Sequence, residues 1–104
     1  MTSARYETII WEKEMKNKII SHARAVYADE VRPGSVFDVV TTTSDTVIAD
    51  ENYTGYTTHV VAFDELSQQD KWSILMSTSR QPTEAQGLEE LVRKLQRKLS
   101  EMLV

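Results

Sequence analysis

His22 and His59 are the first candidates for acid–base chemistry in this chain, because histidine is the side chain whose unperturbed pKa lies near neutrality. His59 lies in a β-branched and apolar run, close in sequence to Tyr56 and Asp64. These three side chains could form a small acid–base site, in a pocket between a sheet and helices that Trp72 would also line. They are candidate residues only, since a histidine on a strand is more often structural, and the sequence assigns no catalytic residue.

No motif in the sequence specifies a nucleophile, a phosphate site or a metal site. Cysteine is absent, and neither a G-x-S-x-G elbow nor an S-x-x-K pattern occurs. The glycines Gly34, Gly55 and Gly87 are too far apart for a glycine-rich phosphate loop. The two histidines do not have metal-ligand spacing. We therefore predict no metal and no cofactor.

Residues 50–55 match the start of a calcium-binding loop. Oxygen-bearing side chains occur at Asp50, Asn52 and Thr54, and Gly55 follows in the sixth position. The position that should supply a bidentate glutamate is Val61, inside an apolar run. The pattern therefore predicts a polar hairpin loop rather than a calcium site.

The first predicted element is an amphipathic helix over residues 12–27. Its apolar residues recur at helical spacing, and it contains no Gly or Pro. Two beginnings are open, since residues 6–11 could form a preceding strand or the helix could start near Ser3 or Arg5. The absence of Gly, Pro and Asn before Glu12 favours one long helix. The Pro33-Gly34 turn ends this region.

The middle of the chain predicts an antiparallel sheet. Residues 35–43, 56–63 and 72–79 are rich in β-branched and apolar side chains, and short polar segments separate them. Residues 46–48 either continue the first strand or begin a short additional one. In the last strand, strict alternation would place Trp72, Ile74 and Met76 on one face. Short connections without helices indicate a meander.

The last predicted element is a helix that begins after Pro82. Thr83 and Gln86 match a capping box, in which the threonine hydroxyl and the glutamine side chain each bind a free backbone N–H. A stripe of apolar residues, partly with coiled-coil spacing, follows one face of this helix. Core packing explains much of the stripe, but its extent also predicts a subunit interface. Its members are Leu88, Leu91, Val92, Leu95, Leu99, Met102 and Leu103.

Together these elements predict one α+β domain over residues 1–104, a two-layer sandwich with the order helix, three- or four-stranded antiparallel meander, helix (αβββα). This order resembles that of the double-stranded RNA-binding fold, which would imply a module that binds duplex RNA. The charge argues against that function. Residues 35–82 contain seven acidic and two basic side chains, and the second helix begins with Glu84, Glu89 and Glu90. We therefore predict no nucleic acid partner.

The longest apolar run, residues 60–63, is far too short to cross a membrane, and the lack of cysteine favours a cytoplasmic protein. The favoured function is a small non-catalytic protein-interaction domain that forms a homodimer through the sheet or the C-terminal helix. The alternative is an enzyme or small-molecule-binding protein with a pocket near His59. A module like the double-stranded RNA-binding domains is the weaker alternative.

Overall fold

The computed structural model describes residues 4–64 and 72–103. The elements are α1 (Ala4–Val26), β1 (Val36–Ile48), β2 (Glu51–Phe63), β3 (Trp72–Ser77) and α2 (Glu84–Met102). The strands form one antiparallel sheet in the order β1-β2-β3. The predicted α+β class and αβββα order are confirmed, and α1 is the single long helix that the sequence favoured.

β1 and β2 form a long hairpin with a two-residue turn. Ala49 and Asp50 both have positive φ, 52° and 66°, as in the turns whose twist matches that of two paired strands. Residues 46–48 therefore continue β1, and the predicted loop at residues 50–55 is wrong because Glu51 already begins β2. This end of the hairpin is exposed on both faces, so its strands do not need a row of apolar side chains on one face. The extended backbone also excludes a calcium loop here.

A bulge between β2 and β3 changes which side chains face the helices. Met76 pairs with Val60, whereas Ile74 pairs with the next residue of β2, so that Leu75 is the extra residue. Leu75 and Met76 both pack against the core. Trp72 and Ile74 face away from it, so the predicted alternation, which put Met76 on their face, is wrong.

Both helices cover the same face of the sheet, and they run in the same direction. Trp11 of α1 lies beside Ala85 near the start of α2, and Val26 lies beside Met102 near its end. Every element except β3 contributes buried side chains to the core between the two layers. β3 adds side chains that are partly buried. Its buried members are Ile19, Ala23, Tyr27, Phe37, Val39, Val60, Ala62, Leu88, Leu91, Val92 and Leu95.

The start of α2 is fixed by a cap and by a close contact with β2. Thr83 Oγ1 accepts a hydrogen bond from Gln86 N at 3.2 Å, which confirms half of the predicted capping box. The glutamine side chain does not reach the backbone, because its Oε1 accepts from the threonine hydroxyl at 3.1 Å. One residue later, Gly87 packs so closely on Thr58 that a Cβ at Gly87 would collide with Thr58 Oγ1.

Candidate functional site

The face of the sheet that points away from the helices is uncovered by any described element, and we call it the open face. Successive side chains of a strand alternate between faces, so the neighbours of the buried Phe37, Val39, Val60 and Ala62 lie here. The open face carries large exposed apolar side chains at one end. Val36 is 37% exposed, Val40 43%, Trp72 49% and Ile74 63%.

These side chains belong to a group of apolar residues that surround Asp38 on the open face, and we call this group the open-face patch. It consists of Val36, Val40, Val61, Phe63, Trp72 and Ile74. The rings of Phe63 and Trp72 lie 5.0 Å apart at an interplanar angle of 34°. Val61 is 5% exposed and lies outside the core cluster. Its burial on this side shows that the surrounding side chains pack over it.

A row of hydrogen bonds crosses the open face beside the patch. His59 Nε2 lies 3.0 Å from Thr42 Oγ1 on β1, and His59 Nδ1 lies 2.6 Å from Ser77 Oγ on β3. A hydroxyl can donate or accept, so either tautomer of the imidazole can be bound here. The row ties the three strands together and fixes the orientation of the ring.

The structure does not bring His59, Tyr56 and Asp64 together. Residue 56 is an odd number of positions from residue 59, and Tyr56 therefore lies on the side of the helices while His59 lies on the open face. Asp64 follows the end of β2, where it forms an ion pair with Arg32 at 3.4 Å. Trp72 shares the open face with His59 but lies at the far end of the patch. A pocket between sheet and helices would therefore not contain His59.

Most of the predicted interface stripe on α2 lies in the core of this chain. Leu88, Leu91, Val92 and Leu95 are buried, and Leu99 is half-buried. Met102 and Leu103 are 56% and 84% exposed. The stripe therefore offers a partner only its last turn, and the larger exposed apolar surface is on the sheet.

Arg80 is a positioning residue that the sequence analysis missed. Its Nη2 donates to Ser44 O at 3.1 Å and to Tyr53 O at 3.0 Å, so the side chain lies across the hairpin. It covers Gly55, where a Cβ would collide with it. A glycine inside a strand indicates such a close approach. Gly55 is therefore the feature of the sequence that could have predicted this contact.

Glu90 of α2 binds the segment that follows β3. Its carboxylate accepts from Ser79 N at 3.0 Å and from Ser79 Oγ at 2.9 Å. Burial pushes the pKa of Glu90 upwards, but these hydrogen bonds and the charge of Lys94 outweigh it and hold the pKa below its usual value. Lys94 Nζ also donates to Ser77 O at 3.1 Å. The network anchors the end of β3 to α2.

Within residues 4–64 and 72–103, no three His, Cys, Asp or Glu side chains converge as metal ligands. In the same part of the chain, no helix is both long and apolar enough to span a membrane. Comparisons with known protein families, curated proteins and solved structures found no match to this chain.

Proposed function

We propose that this chain is a non-catalytic interaction domain that forms a homodimer through the open face of its sheet. The observation that carries the proposal is the open-face patch, where four large apolar side chains are 37% to 63% exposed on a face that no described element covers. Exposed apolar clusters of this kind mark interfaces in soluble proteins.

The free energy available from the patch supports a weak dimer. Complete burial of one such side chain is worth ~1.5–3 kcal/mol relative to full exposure. The four side chains are each about half exposed, so covering them would contribute about 3–6 kcal/mol per copy. Association costs ~4–15 kcal/mol in lost freedom of motion. We therefore expect a Kd of about micromolar or weaker.

The dimensions and charges of the open face favour a second copy as its occupant. β1 and β2, with 13 residues each, extend ~43 Å, and β3, with 6 residues, extends ~20 Å. With strands ~4.8 Å apart, stacking would bury about 500 Å² per copy, or about 1,000 Å² in total. That total lies near the lower limit for specific interfaces. The open face has few charges, with Asp38 on one side of the Thr42–His59 row and Arg80 over Gly55 on the other.

A symmetric interface needs a self-complementary surface. Stacking the open-face patch of one copy on the patch of another would cover the same apolar side chains on both copies.

The proposal is tested by sedimentation equilibrium of the full chain over a wide range of concentration. We expect the mass to rise from 11.9 kDa towards twice that value. Ile74→Lys should remain monomeric, because an ammonium group would be buried in an apolar interface without a partner. Val47→Lys is the matched control, since Val47 is 66% exposed, compared with 63% for Ile74, but lies on the other face of the hairpin.

Three results would refute the proposed interface. A wild-type mass that stays at 11.9 kDa at every concentration would exclude the dimer. Equal dimerisation of Ile74→Lys and Val47→Lys would exclude the open face. Loss of dimerisation in Leu103→Lys alone would instead place the interface at the exposed end of α2.

The alternative, an enzyme or small-molecule-binding protein, is favoured by the 2.6 Å contact between Ser77 Oγ and His59 Nδ1. A serine beside a histidine can act as a nucleophile. The other imidazole nitrogen contacts the Thr42 hydroxyl, whereas serine hydrolases place a carboxylate there to stabilise the imidazolium. Hydrolysis of p-nitrophenyl acetate that is lost in Ser77→Ala would support this alternative over the interaction domain.

A further inference from the structure

The outer edge of β1 presents backbone groups that no other strand binds. On β2, Tyr56 N donates to Gln81 O at 2.8 Å, and Thr58 O accepts from Thr78 N at 2.9 Å, so even-numbered residues there bond towards β3. The odd-numbered residues bond towards the even-numbered residues of β1. The odd-numbered residues 37–47 of β1 therefore direct N–H and C=O groups outwards.

On the opposite edge of the sheet, two outward carbonyl groups of β3 accept hydrogen bonds from side chains. On β3, Leu75 O accepts from Tyr27 Oη at 3.2 Å, and Ser77 O accepts from Lys94 Nζ at 3.1 Å. An uncapped edge strand is a template for another strand, and these two side chains occupy part of that template on β3.

β1 lacks such closure over most of its length. Within the described residues, one side chain closes an outward group of β1, since Asp38 Oδ1 accepts from Val39 N at 2.7 Å. The strand contains no Pro, Lys or Arg to discourage pairing. The outward N–H groups of Phe37, Thr41 and Thr43 are left for a partner.

A cationic cleft lies beside the beginning of this edge, between the end of α1 and β1. Val31 and Phe37 supply apolar walls, and Arg24 and Arg32 supply the charge. Arg32 is 71% exposed although it pairs with Asp64. The acidic residues that follow α1 line a different cleft, on the side of α2.

We propose that the outer edge of β1 and this cleft bind an extended, acidic segment of a partner polypeptide. The segment adds as a fourth strand, and its backbone binds the outward groups of β1. Side chains on its helix-facing side reach the cleft, where carboxylates bind Arg24 and Arg32. The edge and the open face are different surfaces, so this binding does not depend on the proposed homodimer.

The probe is a synthetic peptide that alternates valine with glutamate, added to the isotope-labelled full chain. We expect amide hydrogen exchange to slow at Phe37, Thr41 and Thr43, whereas the even-numbered amides between them, already bonded to β2, should change little. This alternation is specific to strand addition. A peptide that alternates valine with lysine is the control and should bind at least about fivefold more weakly.

Variants of the full chain separate the edge from the cleft. Arg24→Glu should weaken peptide binding about fivefold, whereas Lys18→Glu, the same charge change on another side of α1, should not. Thr43→Pro removes an outward N–H without breaking a bond to β2, and it should abolish the added protection at Thr41.

Three results would overturn the proposal. The first is equal binding of the valine–lysine peptide, and the second is an exchange pattern without alternation. The third is protection of Thr41 and Thr43 that grows with protein concentration in the absence of peptide. That result would show that β1 of a second copy, rather than an acidic segment, occupies the edge.

Discussion

Substitution of Gly87 by alanine tests the contact that positions α2 on the sheet. In most helix interiors this change is favourable by ~1 kcal/mol, because glycine is a poor helix former. At Gly87 the new methyl group would collide with Thr58 Oγ1. Thr58 is 0% exposed, and its branched side chain has few alternative rotamers, so the collision cannot be relieved by a simple rotation.

The size of the effect follows from two opposing terms. Overpacking of a dense core costs ~1–3 kcal/mol, and the upper value applies where neither group can move. After the gain of ~1 kcal/mol in helix propensity, we expect Gly87→Ala to destabilise the chain by about 2 kcal/mol. In a Thr58→Ala background the obstacle is absent, and the same change should stabilise by about 1 kcal/mol. The coupling free energy is thus about 3 kcal/mol.

The assay is urea denaturation of the wild type, both single variants and the double variant, followed by circular dichroism. Thr58→Ala alone should be nearly neutral, because the lost methyl group is offset by removal of a buried hydroxyl that has no hydrogen-bond partner among the described residues. Additive changes in the free energy of unfolding, with no coupling between the two sites, would refute the close packing of Gly87 on Thr58.

Three further predictions follow from other parts of the chain. Leu95 is 0% exposed, so Leu95→Ala should lower the free energy of unfolding by ~2–5 kcal/mol, and an unchanged denaturation midpoint would contradict its place in the core. The fold lowers the pKa of Glu90. The Glu90 carboxylate therefore stabilises the folded chain fully above the pKa of ~4.3 that it has when unfolded, and this stabilisation is lost as the pH falls through its pKa in the folded state. Glu90→Gln should accordingly be less stable than wild type at neutral pH and equal to it in acid, as urea titrations at several pH values would reveal. Duplex RNA should not bind at physiological salt, since residues 35–82 have a net charge of −5, and a strongly salt-dependent gel shift would contradict this.

The elements that the sequence predicted best are those that local interactions specify. Thr83 caps α2, and the stripe from Leu88 to Leu95 lies in the core, because capping and helical periodicity act within a few residues. The end of the hairpin was predicted wrongly. Its polar residues indicate a loop, but strand pairing from the Ala49-Asp50 turn extends the sheet beyond the helices.

The candidate site depended on information that the sequence does not carry locally. The odd separation of residues 56 and 59 already implied opposite faces of one strand. Which face is open depends on both helices packing on the same side of the sheet. The contacts of His59 with Thr42 and Ser77 depend on strand register. The bulge determines that Ile74 lies exposed on the open face while Met76 packs, partly buried, on the other face.

The most direct test of the homodimer is a mixed-label NMR experiment on the full chain. One population is isotope-labelled and the other is not, so that contacts between copies are observed selectively. The proposed interface predicts intermolecular contacts from the methyl groups of Val36, Val40 and Ile74. Intermolecular contacts confined to Met102 and Leu103, or none at concentrations where the chain is dimeric by mass, would contradict dimerisation through the open face.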